Sequence, residues 1–210
     1  MRLGVGAVLE LCYTVELPNS IKVPQTFGKT RYWKHGLAVA ILSRELGSKV
    51  LTDKEELDSC YLAGLVHDIG LLVYDYLVPE QFDQFLATTD FNDPDQPLEA
   101  LEKNFFGISR SELGAAYLKE WWPVSPKIVE ATQAHGGPGL EKDQTPNLAC
   151  LVSTANRIAN KYGLDHPFET GLHQAADENY LETLKMSKQE MDELVDWAQI
   201  GVLAAESVLE

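Results

Sequence analysis

Apolar residues recur at three- and four-residue intervals along most of this chain, and the strict alternation that a half-buried strand needs is scarce. Leu37, Ala38, Ile41, Leu42 and Leu46 form one such run, and Gly47 is predicted to close it. Asp53, followed by Lys54, Glu55 and Glu56, opens a second, with an apolar face of Leu57, Cys60, Tyr61, Gly64 and Leu65. Start signals recur downstream. Ser109 and Glu112 stand at capping-box spacing ahead of Leu113, Ala116, Tyr117 and Trp121, and Ser187 and Glu190 repeat the pattern before Met191, Leu194 and Trp197. Ser125-Pro126 and Thr145-Pro146 each predict a capping hydroxyl followed by proline at the first helical position. Only residues 15–23 read as partly extended, and loops are expected at residues 17–28, 92–97, 136–146 and 163–170. The expectation is an all-α bundle, and 210 residues suffice to bury a sizeable core.

Charge narrows the function. The chain carries 17 Lys and Arg against 32 Asp and Glu, a net charge of −15, with no basic run. A nucleic-acid backbone or an anionic membrane surface would be repelled, so neither is expected as a partner. No apolar stretch approaches the roughly 18 residues that span a bilayer. Residues 3–9 are apolar but stop at Glu10 without a small-residue cleavage site, which argues against a signal peptide. Cys12, Cys60 and Cys150 lack C-x-x-C spacing and sit in apolar sequence. They predict reduced core thiols in a cytoplasmic protein.

Chemistry concentrates at His67-Asp68, where an apolar helical pattern runs into Gly70. Successive helical residues are turned by about 100°, so neighbouring side chains converge on one ion only near a helix end or with outside help. Three other positions offer that help. His35 stands near a helix start, His135 follows a helix over residues 128–134, and Asn156 lies mid-helix. Taken singly, each has an ordinary reading as a cap, a surface imidazole or a polar helix edge. Their serial order changes that reading.

The run Tyr32-Trp33-Lys34-His35-Gly36, then Gly64-Leu65-Val66-His67-Asp68-Ile69-Gly70, resembles the HD superfamily of metal-dependent phosphohydrolases. More specifically it is similar to the HD-related output domain, HDOD. Phe106-Gly107-Ile108-Ser109-Arg110, Trp121-Trp122-Pro123, Ile128-Val129-Glu130-Ala131 and the stretch around Asn156 follow in the expected order. The resemblance implies an HD-like helical core over residues 31–162. Residues 1–30 resemble the middle of a longer HDOD domain, and 163–210 are a C-terminal helical addition.

In HD enzymes one His, a His-Asp pair and a distant Asp converge on one or two divalent ions. The resemblance therefore implies His35, His67 and Asp68 as metal ligands, with Asn156 where the distant Asp belongs. His67 and Asp68 are the implied catalytic pair if the chain is an enzyme. The dinuclear branch, which hydrolyses cyclic di-GMP, adds a lysine and further histidines. Here Leu71 holds the lysine position, Arg110 a histidine position, and His135-Gly136 the place of a His-His pair.

These replacements have physical consequences. Asn156 keeps a carbonyl oxygen but removes a negative charge. Unit charges about 4 Å apart interact by roughly 4 kcal/mol at an effective dielectric near 20, and a dication doubles that. Metal affinity is expected to fall by orders of magnitude. Arg110 adds a cation near a second metal position, or joins His135 in clamping an anionic ligand. The expected function is thus a bacterial signal-transduction module that contacts signalling proteins and needs no cofactor, with no efficient catalysis. The alternative is a phosphohydrolase acting on nucleotides or cyclic dinucleotides with Mn, Fe or Mg. Trp121-Trp122 is a candidate partner-facing pair, and residues 3–11, if exposed, favour a homodimer.

Overall fold

Helix α1 (Lys29–Val50) is apolar on more than one face, so it is enclosed rather than laid on a surface. Tyr32, Trp33, Leu37, Ala38, Val39, Ala40, Leu42 and Leu46 are all buried. The computed structural model describes residues 29–91, 96–137, 139–141, 144–164 and 179–209. Ten helices and no strand occur among these residues, as the periodicity predicts. After α1 come α2 (Lys54–Val66), α3 (Ile69–Leu77), α4 (Pro79–Thr88), α5 (Leu98–Phe106) and α6 (Arg110–Trp121). The remainder are α7 (Pro126–Ala134), α8 (Leu148–Lys161), α9 (Asn179–Leu184) and α10 (Lys188–Leu209). Helix α1 packs against α2, α8 and α10, while α3 packs on α6 and α7 bridges α6 to α8.

Several start signals operate as expected. Asp53 accepts from the backbone N–H of Glu56, and Ser109 with Glu112 forms a reciprocal capping box. Ser187 and Glu190 pair in the same way. Three expectations are corrected. Gly47 does not end α1, which runs on to Val50. A Cβ there would lie 2.6 Å from the Cys60 Sγ, so this glycine lets α2 approach α1. Thr145 does not cap α8. Asn147 does, accepting from the backbone N–H of Cys150, and Pro146 precedes the helix. Ser125 stands at the N-cap of α7 but makes no capping bond.

The C-terminal helix α10 buries Met191, Val195, Ala198 and Val202 in the same core as α1. Its outer side leaves Trp197, Ile200 and Leu203 exposed, with the Arg44 guanidinium 5.5 Å over the Trp197 ring. Trp121 is 72% exposed, whereas Trp122 is half-buried beside Tyr117. Cys60 and Cys150 are buried free thiols. Among the described residues no single helix is long and apolar enough to cross a membrane. Helices α2 and α3 together reach that length and composition only across a 41° bend, and both carry core residues. Cys12, the extended stretch 15–23, the apolar segment 3–11 and the loops expected at 17–28 and 165–170 lie outside the described residues.

Candidate functional site

The bend between α2 and α3 is where His67 and Asp68 sit, the first as C-cap of α2 and the second as N-cap of α3. Asp68 takes φ −108° and ψ 19°, close to the bridge region between helix and strand. Interrupting the regular helical step there lets consecutive side chains both turn inward, and both are buried. The His67 Nδ1–H donates to the Gly64 carbonyl at 2.7 Å. Its Nε2 is thereby a lone-pair nitrogen, buried and without a hydrogen-bond partner. Burial holds this imidazole well below its usual pKa, with the Asp68 charge opposing and His135 and His35 reinforcing.

His35 enters from the second turn of α1, its ring centroid 5.3 Å from that of His67. Nδ1 lies 2.7 Å from the Leu164 carbonyl and Nε2 lies 3.0 Å from the Asn156 side-chain amide on α8. Both ring nitrogens of His35 thus face oxygen acceptors, the Leu164 carbonyl at Nδ1 and the Asn156 Oδ1 at Nε2. The same Oδ1 also accepts from the Asn160 side-chain amide at 3.5 Å. His35, His67 and Asp68 offer ligand atoms all within 4.8 Å of one another, close enough to share one ion.

On the far side of Asp68 stands a cation supplied by the chain itself. The Arg110 Nε donates to Asp68 Oδ1 at 2.7 Å, and its Nη1 donates to Glu102 Oε1 at 3.2 Å. Glu102 also accepts the Arg110 backbone N–H at 2.9 Å. All three residues are buried, Arg110 being 3% exposed. Burial pushes the Glu102 carboxyl up, against the pull of the guanidinium. His135 completes the cluster with Nε2 3.0 Å from Asp68 Oδ1. Its Nδ1–H donates to the Thr132 carbonyl. Burial opposes charging of this ring, but the Asp68 carboxylate outweighs it and the pKa is raised. At this distance the ring forms an ion pair with the carboxylate whenever it is protonated.

These opposite shifts give a testable pH dependence. His67 has a native pKa below its unfolded value, so its contribution to stability is present above the ordinary imidazole range and is lost as pH falls toward the native value. His135 contributes fully below that range and loses its contribution as pH rises through its raised native value. Urea titrations of wild type and His67→Gln, stepped between about pH 7 and about pH 5, are expected to converge on the acid side. Curves that stay parallel would show that His67 is not held neutral by the fold.

All six residues singled out in the sequence meet here. His35, His67 and Asp68 form the inner group, Asn156 engages His35, and Arg110 and His135 engage Asp68. Two carboxylates escaped notice, Glu102 and Glu99. Both lie on the acidic, amphipathic α5, where nothing in the pattern distinguishes a buried glutamate from a solvated one. Glu99 packs against Gly136, where the resemblance places a second histidine. A Cβ on Gly136 would lie 2.8 Å from the Glu99 Oε1, so the carboxylate fills that space. Leu71 is buried in the apolar core. A cavity of about 430 Å³ opens beside the cluster, with Arg110, His135 and Asn156 as buried lining and Lys103 at its exposed rim.

Comparison with known proteins adds the family. The HDOD domain family matches residues 1–138, beginning upstream of the quoted motifs and ending before Asn156. No curated protein matches the chain. Among solved structures, an HDOD domain protein of unknown function from Geobacter sulfurreducens is 19% identical, covering 99% of this chain and 72% of that one, with a TM-score of 0.71. A protein provisionally described as a phosphohydrolase from Shewanella amazonensis is 20% identical over 100% of this chain and 74% of its own, with a TM-score of 0.70. One provisionally described as a signal transduction protein from Marinobacter aquaeolei is 19% identical, with 99% and 46% covered and a TM-score of 0.71. At these identities the likeness is one of fold.

Proposed function

The chain belongs to the HDOD domain family, and from that premise we propose that it is a regulatory signalling module whose metal centre has been replaced by internal side-chain pairs. The observation that carries this reading is the buried Arg110–Asp68 contact at 2.7 Å. An arginine cannot be deprotonated in a protein, so the site already contains a permanent positive charge beside its one inner carboxylate. A divalent ion would have to share Asp68 with that charge and with the His135 ring 3.0 Å away. At an effective dielectric near 20, the guanidinium costs an incoming dication several kcal/mol within about 5 Å. His35 Nε2 is also engaged, by Asn156. Of the inner group only His67 Nε2 is left without a hydrogen-bond partner. The residues therefore fit a resident ion poorly, and no hydrolytic step is derived through one. The provisional description of the Marinobacter neighbour as a signal transduction protein supports a regulatory role. Exposed Trp121 and Tyr76 suit contact with signalling proteins.

A second reading has one observation in its favour. The clustering of His35, His67 and Asp68 within 4.8 Å, with the His67 lone pair unengaged, is what a metal-dependent phosphohydrolase would retain. Metal analysis of protein purified without chelator, then nitrophenyl-phosphate and cyclic-dinucleotide assays with added Mn²⁺, separates the two. The expected result is a substoichiometric metal content and no turnover. Stoichiometric Mn or Fe that is lost in His67→Ala, with hydrolysis lost alongside, would establish the enzyme instead.

A further inference from the structure

The inner face of α10 is fixed by the core. Met191, Val195, Ala198 and Val202 are buried there, and Gly201 lets the helix seat closely on α1, since a Cβ at this position would lie 2.7 Å from the Ile41 Cδ1. At about 100° per residue, Ile200 falls almost diametrically opposite this buried stripe, and it is 63% exposed. Trp197 and Leu203 stand about 60° to either side of Ile200. They are 46% and 64% exposed. A single apolar side chain in solvent is ordinary, but three centred on one helix face form a patch that favours being covered.

The order of residues along this face argues for a copy of the same chain as its cover. Toward the N-terminal end the face turns acidic, with Asp196 and Glu193 exposed and Gln189 donating to Glu193 at 2.9 Å. Toward the C-terminal end it continues with the exposed Ala204. Two such helices laid parallel and in register would set each acidic residue level with its own copy, like charge against like. Laid antiparallel and crossing at Ile200, they avoid this. Ile200 then meets Ile200, Trp197 lies level with Leu203, and Asp196 lies level with Ala204. The patch is its own complement, which is what a two-fold contact between identical subunits requires.

We propose that this protein forms a two-fold dimer through antiparallel α10 helices centred on Ile200. The proposal goes beyond the regulatory reading and stands apart from it, because His35, His67, Asp68 and Arg110 all lie on other elements. The seam also differs from the one expected at residues 3–11, which lie outside the described residues. Each chain carries a net charge of −15, so an apolar contact between two copies forms against their mutual repulsion. Added salt screens that repulsion and is expected to tighten the dimer, whereas it would loosen a complex with a basic partner.

The test is sedimentation equilibrium of the full chain over a concentration series, at low and at moderate sodium chloride. A monomer–dimer equilibrium is expected, shifting toward dimer as salt is added. Ile200→Glu and Leu203→Glu replace exposed side chains, so both variants are expected to fold, with unchanged circular dichroism, and to weaken association about tenfold or more. Leu77→Glu makes the same change at an exposed leucine on α3 and is expected to leave association unaltered. Crosslinking with a short bis-maleimide reads the register, in a Cys12→Ser background where Cys60 and Cys150 are buried. Ile200→Cys is expected to crosslink with itself. Ala204→Cys should not, because its two copies would be offset by about 12 Å along the helix axes, but it should crosslink with Asp196→Cys. A chain that stays monomeric throughout, a dimer left intact by Ile200→Glu and Leu203→Glu, or one weakened equally by Leu77→Glu would overturn the proposal. So would Ala204→Cys crosslinking with itself as readily as Ile200→Cys, the mark of a parallel pair.

Discussion

Arg110→Ala is expected to lower stability by about 3–5 kcal/mol, seen as a shift of the urea midpoint with little change in slope. The magnitude follows from what the truncation leaves behind. Asp68 and Glu102 are both buried, and each takes a charged hydrogen bond from this one guanidinium. Removing it strands two carboxylates in a medium that solvates neither. Asp68 keeps His135, whereas among the described residues Glu102 keeps only the Arg110 backbone N–H. Burial already raises the Glu102 pKa with the arginine present, so without it the group goes higher. For an acid whose native pKa exceeds its unfolded one, the contribution to stability is complete below the unfolded value and is lost as pH rises through the native value. The variant should therefore recover part of its loss as the buffer moves from about pH 7 toward about pH 5. Arg110→Lys should fall between, since one ammonium cannot reproduce a planar fork spanning two carboxylates. A cycle with Asp68→Asn is expected to show strong coupling, because an amide partly relieves the stranded charge. A loss below about 1 kcal/mol, independent of pH, would mean that water already reaches this network, and the internal-cation reading of the site would go with it.

The same network shows what a single sequence displays and what it hides. Helix type was legible because apolar spacing is a local property, and so were the caps at Ser109 and Ser187, whose partners lie three residues away. Gly47 misled because glycine has two uses. Its role was decided by Cys60 on the neighbouring helix, a tertiary fact. At the site, His67-Asp68 stood out as adjacent donors. The pairing of His35 with Asn156, 121 residues away, was reachable only through the order of motifs. Glu102 gave no signal at all. It stands beside Lys103 on a short acidic helix, and only the packing of α5 beneath Arg110 turns it inward.

Gly70→Ala carries the second large effect, a loss of about 3 kcal/mol, and it tests how the cation is held in place. A Cβ at this position would lie 2.7 Å from the Arg110 carbonyl carbon and 2.9 Å from its Cα, and would collide with the carbonyl oxygen itself. These are backbone atoms at the start of α6, so no rotamer change relieves the contact. Alanine gains up to about 1 kcal/mol of helix propensity over glycine within α3, which offsets part of the strain. The remaining relief is for α6 to move away from α3, and that movement carries Arg110 away from Asp68. The cost should thus overlap with that of Arg110→Ala, and the double variant should lose clearly less than the sum of the two. Gly114→Ala is the internal comparison. Its Cβ would meet the Gly70 nitrogen at 2.9 Å and the Ile69 Cγ2 at 3.2 Å, contacts that a small shift of α6 and a side-chain adjustment lessen. A smaller loss, about 1 kcal/mol, is expected there, with a correspondingly smaller overlap with Arg110→Ala because the shift of α6 is smaller. If Gly70→Ala proves additive with Arg110→Ala, then the close approach of α3 and α6 does not set the Arg110–Asp68 contact, and the arginine is placed by Glu102 alone.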